Sequence, residues 1–296
     1  MLEHLSTEKR NQKSMALDKM SPLEFCTFMN EEDINAAVAV QQALPTIAKI
    51  IELVATRLKD GGRLIYMGSG TSGRMGVIDA VELIPTFGIE DGIVIGLIAG
   101  GDTAFVKAVE GAEDSFELAV EDLKKINLTN KDVVFGLAAS GRTPYSIAGL
   151  DYATEIGAST VALSCNTNAV ISKHAMLAVE VDAGPEVLTG STRLKAGTMQ
   201  KLILNMISTG VMVQLGKVYQ NLMVDVKMTN EKLRERGKRI VMEATACDYE
   251  TAAKTLGEAQ QQVKVAIVMI LRGLGYEDAV ESLEATDGFI ERAIEP

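Results

Sequence analysis

The sequence predicts an α/β protein with a doubly wound, mainly parallel five-stranded sheet, N-terminal helices and a small C-terminal helical bundle. Short apolar, β-rich runs alternate with helical segments from residue 61 onward, which is typical of a parallel sheet covered on both faces. Gly/Ser/Thr-rich loops follow two of these runs. We therefore expect three parts: a helical segment over 1–60, a sheet domain over 61–225 and a helical region over 226–296.

The first part is predicted to be helical because apolar residues recur at helical spacing from Asp33 to Lys59, with a break or kink at Pro45. Five runs in the second part have the composition of strands: Arg63–Met67, Ile93–Ile98, Val133–Leu137, Thr160–Leu163 and Leu177–Val181. The segments between them have helical spacing: Arg74–Ile84, Thr103–Ile126 and Tyr145–Ile156. Beyond the sheet we expect a long helix from Leu194 to about Lys217, a polar helix near residues 230–238, and amphipathic helices over Val263–Leu271 and Tyr276–Leu283.

Composition and charge exclude several classes of function. The chain has 296 residues, 47% of them apolar and 23% charged, which is ordinary for a globular protein. Its net charge of −11 argues against non-specific binding to nucleic acid or to an anionic membrane surface. The polar N-terminus is unlike a signal peptide and the apolar runs are short, so we expect a cytoplasmic protein.

The residue types that usually hold metals or form disulfides are few and scattered. Cys26, Cys165 and Cys247 lie far apart, so we expect free structural thiols. His4 and His174 are isolated from any H-E-x-x-H pattern. The sequence therefore predicts neither a metal nor another cofactor.

The segment Gly68-Ser69-Gly70-Thr71-Ser72-Gly73 follows the first predicted strand and spells G-x-G-x-x-G. A dinucleotide site needs an acidic residue at the end of the next strand, but Asp102 comes late and after two glycines. A nucleotide phosphate loop needs Lys and Ser/Thr after the last glycine, where Arg74 and Met75 stand instead. Neither nucleotide motif fits.

The tripeptide Ser-Gly-Arg occurs twice, each time between a predicted strand and a predicted helix. Hydroxyl side chains, backbone N–H groups and helix N-termini at such positions suit a bound phosphate, although tight turns with helix caps use the same residues. The candidate phosphate-binding residues are Ser69, Gly70, Thr71, Ser72, Ser140, Gly141 and Thr143.

Glu82 and Glu113 are the candidate acid/base groups. Glu82 and Asp79 interrupt a helical segment that is otherwise nearly all apolar, so we expect both to be buried, with a raised pKa. The alternative to an acid/base role is that one of these two acids caps or pairs with Arg74 or Arg142, and this alternative is favoured for Asp79. On the predicted helix from Thr103, Glu113 falls at the edge of the apolar stripe, whereas Glu110, Asp114 and Glu117 fall on the polar side.

The two loops resemble those of the sugar isomerase (SIS) domain, a phosphosugar-binding form of the doubly wound sheet. The stretch GPEVLTGSTRLKAGTMQK, residues 184–201, resembles the signature shared by glucokinase regulatory protein and bacterial N-acetylmuramic acid 6-phosphate etherases. Further similarity to the etherases extends over LSTEKRNQKSMALDKMS, DAVELIPTFG, AVEGAEDS and NLMVDVKMTNEKL. The length of 296 residues also suits the etherases better than the regulator, which carries two such domains.

This resemblance implies a carbon–oxygen lyase that removes D-lactate from carbon 3 of an amino-sugar phosphate. It assigns Glu82 to acid/base catalysis at the ether and Glu113 to activation of water, without a metal. It also implies a homodimer that packs through its sheet domains, and a C-terminal bundle similar to ubiquitin-associated domains.

We call the stretch over residues 184–201 the third motif. Four of its polar residues precede a predicted helix: Ser191, Thr192, Arg193 and Lys195. They are candidates for holding a substrate anion, with helix capping or subunit contacts as the alternative. A sugar-phosphate isomerase and a non-catalytic sugar-phosphate sensor remain alternative functions for the same scaffold.

Overall fold

The computed structural model describes residues 5–228 and 230–295. It contains a five-stranded parallel sheet of order β2-β1-β3-β4-β5 and a short antiparallel hairpin, β6-β7. The strands are β1 (Leu64–Gly68), β2 (Val94–Ile98), β3 (Val133–Ala138), β4 (Ser159–Ser164), β5 (Leu177–Glu180), β6 (Val218–Tyr219) and β7 (Leu222–Met223). The predicted α/β class and the parallel sheet of five strands are confirmed.

Helices flank the sheet and form the C-terminal region. Those before and between the sheet strands are α1 (Pro22–Val40), α2 (Leu44–Lys59), α3 (Gly70–Phe87), α4 (Asp102–Val106), α5 (Phe116–Lys125) and α6 (Pro144–Ile156). Those after the sheet are α7 (Lys195–Gln214), α8 (Glu231–Thr245), α9 (Tyr249–Glu258), α10 (Val263–Arg272), α11 (Tyr276–Glu284) and α12 (Ile290–Ala293). The break predicted at Pro45 is confirmed, since a 3₁₀ turn over Gln41–Ala43 separates α1 from α2.

Contacts divide the chain into two compact units. The first comprises the described residues up to Val81 together with Gly92–Ser208, and it contains the whole parallel sheet. The second comprises Glu82–Asp91 with the described residues from Thr209 onward, and it contains the hairpin and α8–α12. Each unit has its own apolar core, around Ile65, Met67 and Leu150 in the first and around Val241 and Ile267 in the second.

The stretch Pro22–Lys59, which holds α1 and α2, is long and apolar enough to cross a membrane by length and composition alone. This is weak evidence for a membrane span, because the core helix of a globular protein satisfies the same criteria. In this structure α2 buries Ile47, Ile50 and Val54 within the first unit.

Candidate active site

The two Ser-Gly-Arg loops follow neighbouring strands of the sheet. β1 pairs with β3 in parallel register, with Gly68 opposite Leu137, and both strands end there or one residue later. The chain passes from β1 to β2 on one side and later returns to β3 on the other. Ligands of doubly wound sheets bind at this reversal of strand order, outside the carboxyl ends of the strands. Both loops therefore lie where the fold places a ligand.

Two glycines of the first loop are required by packing between β1 and α3. A Cβ atom on Gly73 would lie 2.6 Å from the carbonyl oxygen of Gly68, and one on Gly68 would lie 2.9 Å from the Gly73 nitrogen. Any side chain at either position would push the helix away from the strand. The spacing that resembles a nucleotide motif is thus explained by close strand–helix contact.

The hydroxyl residues of the first loop divide into two groups. Ser72 is buried, and its Oγ lies 3.0 Å from Nε2 of Gln200 on α7. Thr71 also faces α7, because its Cγ2 lies 3.4 Å from the position of a Cβ atom on Gly197. Ser69 instead lies at the half-exposed carboxyl end of β1. The predicted phosphate loop therefore contacts the third motif through Thr71 and Ser72 and leaves Ser69 for a ligand.

Glu113 lies beside Ser69. Its Oε2 is 3.3 Å from the Ser69 Oγ, and both residues line a cavity of about 250 Å³ together with Gly70 and Arg74. The Arg74 guanidinium forms the cavity wall while it donates hydrogen bonds to the carbonyl oxygens of Ala104 and Phe105. The cavity thus combines a hydroxyl, a carboxylate and the start of α3, which is suited to proton transfer on a small polar ligand.

The prediction of one continuous helix over Thr103–Ile126 is wrong, because the structure has two helices with a loop between them. α4 ends at Val106, a loop and a 3₁₀ turn over Ala112–Asp114 follow, and α5 begins at Phe116. The Ser115 Oγ accepts a hydrogen bond from the Leu118 N–H at 3.1 Å, so a new helix starts there with its own cap. Glu113 therefore reaches the cavity from a turn, and the helical spacing used to select it does not apply.

The second loop is shaped by Gly141, whose φ is +71°. A Cβ atom there would lie 2.5 Å from the Cβ of Ala169, and the Gly141 carbonyl accepts a hydrogen bond from the Ile171 N–H. The Ser140 Oγ accepts from the Arg142 N–H at 3.3 Å. Thr143 is the N-cap residue of α6 but makes no side-chain capping bond. Its hydroxyl and the start of α6 therefore remain available for an anion.

The third motif differs from the expectation that its helix start binds a substrate anion. Glu186 is buried, and its two carboxylate oxygens accept hydrogen bonds from the backbone N–H groups of Lys195 and Ala196, each at 2.9 Å. Burial raises the pKa of Glu186. The carboxylate of Glu186 thus occupies the N-terminus of α7, where a substrate anion is expected from the sequence.

Lys195 also has an internal partner. Its side chain is 3% exposed, and the Nζ lies 2.6 Å from Oε2 of Glu32 on α1 and 2.9 Å from the carbonyl oxygen of Ala183. Ser191 is half-buried in the turn before α7, where its backbone carbonyl accepts from the Leu194 N–H. Direct contact of Ser191 or Lys195 with substrate stays a prediction, and the structure shows a buried ion pair at Lys195.

The two acids of α3 have different environments. Asp79 is buried and accepts hydrogen bonds from Tyr66, Asn205 and Ser208, while burial raises the pKa of its carboxyl group. Glu82 is exposed in the single chain, so its predicted burial is wrong here. The apolar residues Ile78 and Val81 of the same helix are 46% and 57% exposed. A helix that is apolar on all sides is expected to be buried, but part of α3 is exposed in the single chain.

Sequence reasoning missed Glu32, Glu186 and Gln200, which connect the third motif to the rest of the first unit. Glu186 and Gln200 lie inside the quoted signature, and their buried positions could have been suspected from their apolar neighbours. Glu32 stands in the run Glu31-Glu32-Asp33, where nothing distinguishes it from a solvated acid.

Among the described residues, no group of three or more His, Cys, Asp or Glu side chains is arranged to hold a metal ion. His174 Nδ1 lies 2.6 Å from Oδ1 of Asp151, and His4 lies outside the described residues. The expectation that the site needs no metal or other cofactor stays a prediction.

Two family models match the sheet region. The glucokinase regulatory protein N-terminal SIS domain matches residues 46–154, and the SIS domain matches residues 113–209. Among solved structures, phosphoheptose isomerases from Francisella tularensis and Neisseria gonorrhoeae are similar, with TM-scores of 0.50 and 0.52 and 17% sequence identity. They cover 65% and 64% of this chain and 98% of their own. This similarity confirms the SIS fold.

Relatives of known name match along nearly the whole chain. N-acetylmuramic acid 6-phosphate etherases from an Exiguobacterium species and from Oenococcus oeni are each 58% identical, over 294 and 293 residues. These matches cover 99% of this chain in both cases, and 100% and 99% of the relatives. The chain therefore belongs to the N-acetylmuramic acid 6-phosphate etherase family.

Proposed function

We propose that this protein cleaves the lactyl ether of N-acetylmuramic acid 6-phosphate, giving N-acetylglucosamine 6-phosphate and D-lactate. The observation that carries this proposal is the cavity at the end of β1, where a phosphate-loop hydroxyl of Ser69 meets the carboxylate of Glu113. Full-length similarity to etherases at 58% identity supports the choice of substrate.

The reaction consists of proton transfers and one elimination. With the sugar ring open, the carbon 1 aldehyde acidifies the proton on carbon 2, which a carboxylate removes as the lactyl oxygen leaves carbon 3 with a proton. Water then adds to carbon 3 of the unsaturated aldehyde, and carbon 2 regains a proton. Glu82 acts as the acid/base at the ether and Glu113 removes the proton from the water. The balance is one water consumed and one D-lactate released.

The two loops hold the phosphate. The backbone N–H of Gly70 and the hydroxyls of Ser69, Ser140 and Thr143 are its ligands. Gly141 shapes the second loop around the phosphate, since its own N–H donates to the carbonyl oxygen of Ala138. The starts of α3 and α6 add their positive ends to this site. Thr71 and Ser72 hold this loop against α7. Lys195, paired with Glu32, positions the start of α7 and the turn that contains Ser191.

A second copy of the chain covers the exposed apolar face of α3. Ile78 and Val81 stand beside Glu82 in the sequence, and large apolar side chains are seldom left exposed together without a partner. Pairing of two chains through their sheet domains, residues 61–225, would bury these residues and bring Glu82 into a less solvated setting.

Val81→Asp should therefore convert a dimer to a monomer in sedimentation experiments and lower turnover. A matched change on the exposed surface of α8, Arg234→Asp, should leave the dimer intact.

The protein acts in the cytoplasm. Its cysteines, Cys26, Cys165 and Cys247, are all free thiols, as expected in a reducing compartment. The helical region over 226–296 has a structural role or contributes an oligomer contact.

D-lactate release from N-acetylmuramic acid 6-phosphate in the presence of EDTA tests the proposal directly. Glu82→Gln and Glu113→Gln should each lower kcat by roughly two to four orders of magnitude, the usual contribution of a general acid or base. Glu117→Gln, an exposed neighbour on α5, is the matched control and should be unaffected. Interconversion of sugar phosphates without lactate would favour the isomerase alternative, and binding without any turnover would favour a sensor.

A further inference from the structure

The second unit contains a cavity of about 610 Å³ that shares no residue with the loops or the third motif. It lies between the segment that follows the hairpin and the start of α10. Pockets of this size hold small metabolites. Its charged lining residues are three lysines and two acids: Lys217, Lys227 and Lys264, and Asp225 and Glu284.

Positive charge in this cavity is incompletely balanced. One oxygen of Asp225, Oδ2, lies 2.9 Å from the Nζ of Lys217 and 2.9 Å from the Nζ of Lys264. One carboxylate neutralises one ammonium, so a second charge remains. Lys227 donates to the carbonyl oxygen of Ile89 at 3.0 Å, which supplies no charge. Glu284 is exposed and has no ion pair with these lysines in the described part of the chain.

Lys264 lies in an environment that disfavours its positive charge, chiefly because it is buried. Its side chain is 12% exposed, and burial lowers the pKa of its ammonium group even though Asp225 opposes the change. The neighbouring charge of Lys217 lowers it further. A second anion next to Lys264 would therefore be stabilised by both ammonium groups.

Backbone N–H groups add to this electropositive wall. Val263, Lys264 and Val265 line the cavity and are the first three residues of α10, whose N–H groups have no partner within the helix. The N-cap residue, Gln262, makes no capping bond, and its amide nitrogen donates to the Tyr276 hydroxyl instead. The N-caps of α8 and α9 do cap their helices with side chains.

We propose that this cavity is a second anion site that binds the phosphate group of a small phosphorylated metabolite. The ammonium groups of Lys217, Lys227 and Lys264 and the first N–H groups of α10 contact the phosphate oxygens. The volume exceeds that of a phosphate ion, and apolar walls at Val224, Val226 and Leu283 receive the organic part. In an enzyme of phosphosugars, such a site would respond to metabolite levels without occupying the reaction site.

The test uses the full-length protein, with inorganic phosphate and glucose 6-phosphate as probes in calorimetry and equilibrium dialysis. Lys217→Gln/Lys227→Gln keeps the Lys264–Asp225 pair but removes two positive charges. Gln262→Asp places an anion of the protein itself at the start of α10, where it should also cap the helix. Lys254→Gln, an exposed change on α9, is the matched control. All variants should keep their lactate-releasing activity when no probe is added.

We expect the wild type and Lys254→Gln to bind one phosphate more per chain than the other two variants at equal probe concentration. The double variant should lose roughly a hundredfold in affinity at this site, since it removes two charge-assisted contacts that are each worth about tenfold. Gln262→Asp should lose affinity while it unfolds at the same or a higher temperature. Unchanged binding in both variants would overturn the proposal. Binding of inorganic phosphate that glucose 6-phosphate cannot displace would overturn the assignment to a phosphorylated metabolite.

Discussion

Replacing Lys195 by methionine should destabilise the protein by about 3–5 kcal/mol, because it leaves the Glu32 carboxylate buried without its cation. The two side chains are 3% and 6% exposed, so water cannot take the place of the missing ammonium group. Asn11 still donates to Glu32 at 3.2 Å, and the exposed Lys13 lies 3.9 Å from it. These remaining partners favour the lower end of the range.

The double variant Lys195→Met/Glu32→Gln should recover most of this loss. Methionine fills the volume of the lysine stem, and glutamine keeps an oxygen that can accept from Asn11. Replacing both members of a buried ion pair is often close to neutral. We therefore expect the double variant to lie within about 1.5 kcal/mol of the wild type.

Urea denaturation followed by circular dichroism measures the stabilities, and lactate release measures the function. If Lys195 only positions the third motif, the double variant should regain most of its kcat and KM together with its stability. If Lys195 contacts substrate, the double variant should be stable but remain impaired. A loss below about 1 kcal/mol in Lys195→Met would refute the reasoning, because a pair this buried cannot lose its cation so cheaply.

Three further changes probe the loops and their support. Gly141→Ala should cost about 2–5 kcal/mol in urea unfolding, from the left-handed backbone and from the clash with Ala169, whereas Gly257→Ala on α9 meets no neighbour and should cost nothing. Glu186→Ala should cost about 2–4 kcal/mol by orphaning two buried N–H groups at the start of α7, and an unchanged midpoint would contradict this. Burial raises the pKa of Asp79 above its unfolded value of 3.8, so its carboxyl group stabilises most below that pH and its contribution is lost as pH rises through the folded pKa. Unfolding curves between pH 4 and 8 should show the wild type losing stability relative to Asp79→Asn as pH rises, and parallel curves would contradict the assignment.

The sheet and its loops could be predicted from sequence because each depends on local signals. β1 and β3 are short apolar runs buried on both faces, and each ends at a glycine-containing loop before a helix. The rules for connections in a doubly wound sheet then leave only a few possible strand orders, and the structure supplies the order and the register. The candidate phosphate residues could be named for the same reason, since they occupy the turns.

The remaining features depend on distant contacts. Helical spacing predicts Glu113 on the buried edge of one long helix, but the cap at Ser115 starts a new helix, so Glu113 reaches Ser69 from a turn instead. Apolar spacing on α3 does not reveal which side of the helix packs in the core of this chain, so it wrongly predicts that Glu82 is buried. The contacts of Lys195 with Glu32 and of Ser72 with Gln200 join residues more than 120 positions apart. No local sequence pattern around these residues predicts the contacts.

The anion that Glu186 places at the start of α7 has a consequence for which ligands the site can accept. A bound molecule cannot use that helix end without displacing a buried carboxylate and two hydrogen bonds. The choice of ligand is thereby restricted by repulsion as well as attraction, because a second negative group directed at α7 would meet a negative charge. Glu186 therefore keeps the phosphate or carboxylate of a ligand away from the start of α7.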